Sequence, residues 1–136
     1  MSKPRYDWWP YVKGMIRRYP ELKEEFEELH RQRITQQLSG MSGGGGIGRM
    51  IEECAVRELS GVRQREFEAV RKAVRLTAAL SGSGETRLRI IDLVFWKRSH
   101  TLEGAALEVH CSYRTARRYH TDFIMTVAKY YGLLDE

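Results

Sequence analysis

The chain has 136 residues, of which 42% are hydrophobic and 30% are charged, and its formal net charge is +5. These values suit one domain, or two very small ones, and exclude a disordered chain. The sequence has no apolar run of about 18 residues that could span a membrane, no signal-peptide core and only two cysteines. We therefore expect a cytoplasmic protein without a disulfide framework, and the basic balance favours an anionic partner.

The amino-terminal segment, 1–38, is predicted to be helical. Apolar residues recur at helical spacing from Trp8 to Tyr19. Pro20 should end this first helix, because proline cannot donate the backbone hydrogen bond that a helix interior needs. A second helix is predicted from Glu21 to Leu38, since its acidic start suits the positive end of the helix dipole. Three aromatic residues of the segment are either core residues or a docking surface: Trp8, Trp9 and Tyr11.

A glycine-rich segment follows at 39–48. Six of its ten residues are glycine, which makes a helix costly here. The glycines satisfy the G-x-G-x-x-G spacing of nucleotide-binding loops, but such loops follow a buried strand, and here a charged helix precedes them. The segment is therefore predicted to be a flexible linker between 1–38 and 49–136.

Beyond the linker the chain is also predicted to be helical, so that the fold class is all-α. Apolar residues recur at helical spacing from Ile47 to about Leu80, with a kink or split at Ser60 and Gly61. We expect this long helix to bury its apolar stripe against the carboxyl-terminal helices or against another subunit. A second break, 81–84, separates it from the last segment.

The last segment is predicted to hold three helices. The first has one apolar face, formed by Leu88, Ile91, Val94 and Phe95. Thr101 can cap a short helix from Leu102 to about Val109. After a turn at His110 and Cys111, Ser112 can cap a third helix.

The spacing of the last two helices is that of a helix-turn-helix. Ala105, Ala106 and Ala116 are small enough for the helices to cross closely. Many such motifs have glycine in the turn, where this sequence has His110, so a positive φ at this position would be strained.

The outer face of the third helix is predicted to bind double-stranded DNA. Its guanidinium groups can pair with phosphates or with the major-groove edge of guanine, and its hydroxyl groups can bind phosphates. Two cations before the motif extend the positive surface. The predicted contacts are Ser112, Tyr113, Arg114, Thr115, Arg117 and Arg118 from the helix, and Lys97 and Arg98 from the preceding segment.

Catalytic and metal-binding functions are not expected. His110, Cys111 and His120 lack the spacing of zinc ligands, since the chain has neither a C-x-x-C nor an H-x-x-x-H pair. No nucleophile elbow or phosphate-binding loop is present. We therefore expect no enzyme activity, no metal and no cofactor.

The motifs resemble a known family. The stretch TLEGAALEVHCSYRTARRYHTDFI is similar to the region-4-like helix-turn-helix of sigma factors. The wider chain resembles phage late transcription regulators of the RinA and ArpU type in the order of IRRYPELKEEFEELH, a glycine-rich stretch, a long helix and a terminal helix-turn-helix. The resemblance implies a bacterial host cell, DNA binding near a promoter and activation of late phage genes. The DNA contacts that it implies are Ser112, Tyr113, Arg114, Arg117 and Arg118.

Two other functions fit the same architecture. A small terminase subunit for phage DNA packaging also joins a helix-turn-helix to oligomerising helices, and it would form a ring of subunits. A sigma-like module would instead bind RNA polymerase. The sequence favours a sequence-specific transcriptional regulator that forms a homo-oligomer, with double-stranded DNA as its partner, RNA polymerase as a further candidate partner, and no membrane.

Overall fold

The computed structural model describes residues 6–40 and 61–134, and all regular structure in these two ranges is helical. The elements are α1 (Trp9–Gly40), α2 (Gly61–Ala78), α3 (Gly84–Ile91), a π-helical turn (Asp92–Trp96), α4 (Leu102–Glu108) and α5 (Tyr113–Tyr131). The predicted all-α fold is therefore confirmed. Among the described helices, none combines the length and the apolar character needed to cross a bilayer. Cys54, positions 41–48 of the predicted linker and positions 47–60 of the predicted long helix lie outside the described residues.

Helix α1 is continuous and contains Pro20. The prediction that Pro20 ends one helix and that another begins at Glu21 is therefore wrong. Proline removes the amide hydrogen that would bind the backbone oxygen of Ile16, four residues earlier. That oxygen instead accepts a hydrogen bond from the indole nitrogen of Trp96, at 2.8 Å. Because a donor from elsewhere replaces the missing amide, the helix continues to Gly40, which lies within the predicted linker.

The larger hydrophobic cluster joins α1, α2, the segment 84–96 and the carboxyl-terminal half of α5. Its fully buried side chains include Val12, Ile16, Phe67, Val70, Ile124 and Val127. Trp8 and Trp9 are half-buried and pack against the edge of this cluster, whereas Tyr11 is 39% exposed. The amino-terminal segment therefore shares its core with the rest of the described chain.

A smaller hydrophobic cluster lies between the segment 84–96 and the pair formed by α4 and α5. Its buried members are Ile90, Leu93, Ala105, Ala106 and Ala116. The predicted apolar face of the segment 84–96 packs against the larger cluster. The same segment buries a second face in the smaller cluster, so it joins the α4–α5 pair to the main core.

The break predicted at 81–84 is confirmed, since α2 ends at Ala78 and α3 begins at Gly84. Gly82 has a φ of 81°, which favours glycine. A Cβ atom on Gly84 would lie 2.6 Å from the backbone oxygen of Thr77. The two glycines therefore allow a tight reversal that places α3 close to the end of α2.

Candidate nucleic-acid interface

Both helices of the carboxyl-terminal pair begin at a side-chain cap. The Thr101 hydroxyl accepts a hydrogen bond from the Gly104 amide at 3.1 Å, and the Ser112 hydroxyl accepts one from the Thr115 amide at 3.1 Å. The caps predicted at Thr101 and Ser112 are therefore confirmed. They fix where α4 and α5 start, because each satisfies an amide that the first turn of a helix leaves without a partner.

The turn between α4 and α5 contains a left-handed residue. His110 has a φ of 61° and is exposed. The amide of the next residue, Cys111, donates to the backbone oxygen of Ala106 at 3.0 Å, which closes the turn. The non-glycine residue is thus in the conformation that the sequence marked as strained, at a cost of about 1–2 kcal/mol.

Small residues form the crossing of the two helices. Ala105 and Ala116 are 0% exposed and Ala106 is 2% exposed. Val109 and Cys111 are partly buried against the same cluster, on either side of the turn. Because alanines fill the crossing, one side of α5 approaches α4 and the opposite side faces solvent.

The solvent-facing side of α5 begins with a basic face, which we define as Arg114, Arg117 and Arg118. All three side chains are exposed. Within the ranges that the structure describes, none of them forms a salt bridge. The single acidic residue of α5, Asp122, pairs with Arg87 of α3 at 3.1 Å. The charge of the basic face is therefore available to an anionic ligand.

Tyrosine rings support two of these arginines. The Arg117 guanidinium lies 5.8 Å from the centre of the Tyr113 ring, and the Arg118 guanidinium lies 5.5 Å from the centre of the Tyr119 ring. A cation–π contact restricts a guanidinium without neutralising it. Both groups can therefore be partly ordered before a ligand arrives.

Two of the predicted DNA-contacting residues, Ser112 and Thr115, also form hydrogen bonds with each other at the start of α5. Besides accepting from the Thr115 amide, the Ser112 hydroxyl donates to the Thr115 hydroxyl at 2.9 Å. Ser112 is exposed and Thr115 is partly buried. Since the Thr115 hydroxyl acts as an acceptor in this pair, its own hydrogen remains available to a phosphate.

The two cations predicted before the motif lie just after the π-helical turn. Both are exposed. The Lys97 ammonium pairs with the Asp92 carboxylate at 3.2 Å, which offsets the positive charge that Lys97 adds to this surface. Arg98 has a φ of 53°. Both residues precede α4 in the chain, since α4 begins at Leu102, and among the described residues no ion pair or hydrogen bond joins them to the basic face.

Thr121 belongs to the same side of α5 but was missing from the predicted contacts. It is exposed and lies seven residues after Arg114, at the spacing that completes a stripe with Arg117 and Arg118. Helical spacing counted from Arg114 would have identified it.

His120 does not contribute to the positive surface. Its ring stacks on Phe95 at 5.3 Å. Burial, together with the nearby charge of Lys13, lowers the pKa of His120 to about 4, so the ring is neutral at pH 7. Among the described residues there is no cluster of three or more possible metal ligands.

Comparison with known proteins found no protein-family model, no curated protein and no solved structure that matches the chain. The α4–α5 pair and the charge of the basic face are the features of the described residues that point to a function.

Proposed function

We propose that the chain is a sequence-specific regulator of transcription that binds double-stranded DNA with the first turns of α5. The observation that carries this proposal is the basic face. Its three exposed guanidinium groups lie on one side of a capped helix and, among the described residues, have no carboxylate partner. An α-helix fits the major groove of B-form DNA, and guanidinium groups bind both guanine edges and phosphates.

The packing of α5 suits a helix that reads DNA. Its amino-terminal turns are supported from behind by α4, through Ala105, Ala106 and Ala116. Its carboxyl-terminal half is buried in the larger cluster, through residues such as Ile124 and Val127. One end of the helix is therefore free to enter a groove while the other end is held rigidly by the fold.

The proposed contacts divide by position. Arg114 and Arg117 lie near the start of α5 and would reach base edges, whereas Thr115 and Arg118 would bind phosphates. Lys97 and Arg98 would bind the DNA backbone beside α4. The resemblance to phage late regulators supports a role in activating late genes, with a homo-oligomer binding DNA near a promoter and RNA polymerase as a further partner.

The test is a fluorescence-anisotropy titration of random and phage-derived duplex DNA at two salt concentrations, together with a particle-mass measurement. We expect tighter binding to one duplex and a loss of affinity with salt, by about 0.9 log units per tenfold salt increase for each phosphate contacted. Arg117→Ala should reduce affinity by about 1–3 kcal/mol and relax sequence preference if Arg117 reads guanine, or lower the salt slope by about one if it binds phosphate.

Arg31→Ala is the matched control. Arg31 is 70% exposed, and its guanidinium pairs with Glu28 on α1 rather than with a residue of α4 or α5. Its loss removes the same charge and should leave DNA affinity nearly unchanged. Equal losses in both variants would show that net charge alone drives binding.

Other outcomes would contradict the proposal. A chain with no salt-dependent affinity for duplex DNA is not a DNA-binding regulator, and if it bound RNA polymerase it would be a sigma-like module. A closed ring of many subunits would favour a small terminase subunit instead.

A further inference from the structure

The carboxylate closest in sequence to the basic face, Asp122, lies on the same helix but pairs with a residue of another helix. Asp122 follows Arg118 by four residues, a spacing at which opposite charges pair along a helix. Arg118 is the only cation of α5 at three or four residues from Asp122. In the structure, however, the Asp122 carboxylate binds the Arg87 guanidinium of α3 at 3.1 Å, and Arg118 has no salt bridge within the described residues.

Arg87 is itself firmly positioned. Its Nε atom donates to the Ser83 hydroxyl at 3.1 Å, and its guanidinium lies 4.2 Å from the centre of the Tyr119 ring. Its side chain is only 19% exposed, against 48% for that of Asp122. Arg87 therefore has little surface to offer a ligand, and its contacts fix the Asp122 carboxylate on the α3 side of α5.

We propose that Arg87 is a positioning residue that withholds Asp122 from Arg118 and thereby keeps Arg118 open to DNA. This inference rests on the proposed function. Without Arg87, the Asp122 carboxylate would lose its partner and pair with Arg118 instead. The basic face would then lose one cation to an internal salt bridge and gain a carboxylate that repels phosphates.

A purely structural role for Arg87 is the competing explanation, because its ion pair also links α3 to α5. An ion pair with one exposed partner contributes little to stability, and a structural loss would weaken binding regardless of which residue stands at position 118. The two explanations therefore differ in how Arg87 and Arg118 variants combine.

The experiment compares Arg87→Met, Asp122→Asn and the double variant, each with the parent residue at position 118 and with Arg118→Gln. DNA affinity is measured at about 0.1 M salt, with the folded fraction monitored by circular dichroism.

Arg87→Met should cost the phosphate contact of Arg118. Loss of one phosphate contact at this salt concentration should weaken DNA binding about five- to tenfold and lower the salt slope by about one. Asp122→Asn should restore most of the affinity of Arg87→Met, and Arg87→Met should have no further effect on Arg118→Gln.

Arg89→Met is the matched control on the same helix. Arg89 pairs with Glu108 at 3.8 Å and does not contact Asp122. Its loss removes the same charge and should weaken binding less than Arg87→Met does. The inference is wrong if Arg87→Met and Arg89→Met weaken DNA binding equally, or if Asp122→Asn does not restore the affinity lost in Arg87→Met. It is also wrong if Arg87→Met lowers the DNA affinity of the Arg118→Gln protein as much as it lowers that of the parent.

A second readout separates this inference from the proposed function. In the free protein labelled with ¹⁵N-arginine, the Arg118 Nε–Hε resonance should shift in Arg87→Met and return in the double variant. If the parent does not bind duplex DNA but the shift occurs, the proposed function is wrong while the withholding of Asp122 is supported. If the parent binds DNA and the shift is absent, the inference alone is wrong.

Discussion

The Trp96 indole donates a hydrogen bond to the backbone oxygen of Ile16 at 2.8 Å, the oxygen that Pro20 leaves without its usual helical donor. The donor and the acceptor are 80 residues apart in sequence. Helix α1 is thus completed by a side chain from the π-helical turn. The same hydrogen bond connects α1 to the segment 84–96, which contributes residues to both hydrophobic clusters.

Trp96→Phe should destabilise the fold, because it leaves the Ile16 oxygen without a donor in a partly buried site. We expect a loss of about 1–3 kcal/mol in the free energy of unfolding. In a Pro20→Ala background the backbone amide at position 20 can donate to Ile16, so the cost of Trp96→Phe should fall by about 1 kcal/mol. Urea denaturation of the four proteins measures both values. An equal cost of Trp96→Phe in both backgrounds would show that the indole does not replace the missing amide.

His120 should make the fold sensitive to acid. Burial, reinforced by the charge of Lys13, lowers its pKa from the ordinary value of 6.5 to about 4. Between these values the unfolded chain takes up a proton that the folded chain does not, so stability falls as the pH drops from about 6.5 to 4. The total loss is about 3 kcal/mol, at about 1.4 kcal/mol per pH unit.

The variant that isolates this effect is His120→Gln, which does not titrate. Urea denaturation from pH 7 to pH 4 should show a smaller loss for the variant than for the parent, by about 3 kcal/mol. Carboxylate titration contributes to both proteins and cancels in the comparison. Parallel pH profiles would mean that His120 titrates normally in the folded chain.

His110→Gly should stabilise the fold, because glycine adopts a positive φ without a steric penalty. His110 is exposed, so little packing is lost. We expect a gain of about 1 kcal/mol in the free energy of unfolding, since the relieved strain exceeds the added entropy of the unfolded chain. His110→Ala retains the Cβ atom and should bring no such gain, and a β-branched valine should destabilise. The order glycine, alanine, valine in thermal denaturation is the result to check.

The buried Glu66 carboxylate links α1 to α2. It accepts hydrogen bonds from the Tyr11 hydroxyl at 2.5 Å and from the Arg18 guanidinium at 3.1 Å. Partial burial of the hydroxyl and its hydrogen bond to Glu66 raise the pKa of Tyr11. Glu66→Ala should cost about 2 kcal/mol, a value reduced by the exposure of Arg18, and Tyr11→Phe about 1 kcal/mol.

These two substitutions should not be additive, because they remove the same hydrogen bond. The double variant is expected to lose about 1 kcal/mol less than the sum of the single losses, as measured by urea denaturation. Arg31→Ala, in an exposed pair on α1, serves as the reference for a surface charge and should change stability by less than about 0.5 kcal/mol. Full additivity would mean that Tyr11 and Glu66 contribute independently.

The features that the sequence predicted correctly are those with local causes. Thr101 and Ser112 cap helices whose first amides lie three residues away, so their role can be read from spacing alone. The alanines at the α4–α5 crossing and the exposure of the arginines on α5 also follow from helical periodicity. DNA binding, the bacterial phage context and oligomer formation remain predictions.

The features that the sequence did not reveal depend on distant partners. Nothing near Pro20 in the sequence indicates that Trp96 donates to the Ile16 oxygen, so local reasoning predicts a break in α1 at Pro20. Periodicity assigned one apolar face to the segment 84–96, but Ile90 and Leu93 bury a second face against α4 and α5. The pairing of Asp122 with Arg87, rather than with Arg118, likewise requires the positions of α3 and α5.

The small side chains at the α4–α5 crossing have a consequence for local opening. Three of the buried residues of the smaller cluster are alanines, and α4 has only seven residues, so little apolar area holds it in place. Amide hydrogens of α4 should therefore exchange with deuterium through subglobal fluctuations, well before those of Ile124 and Val127 in the larger cluster. Deuterium uptake at α4 should consequently fall when a molecule occupies the neighbouring surface.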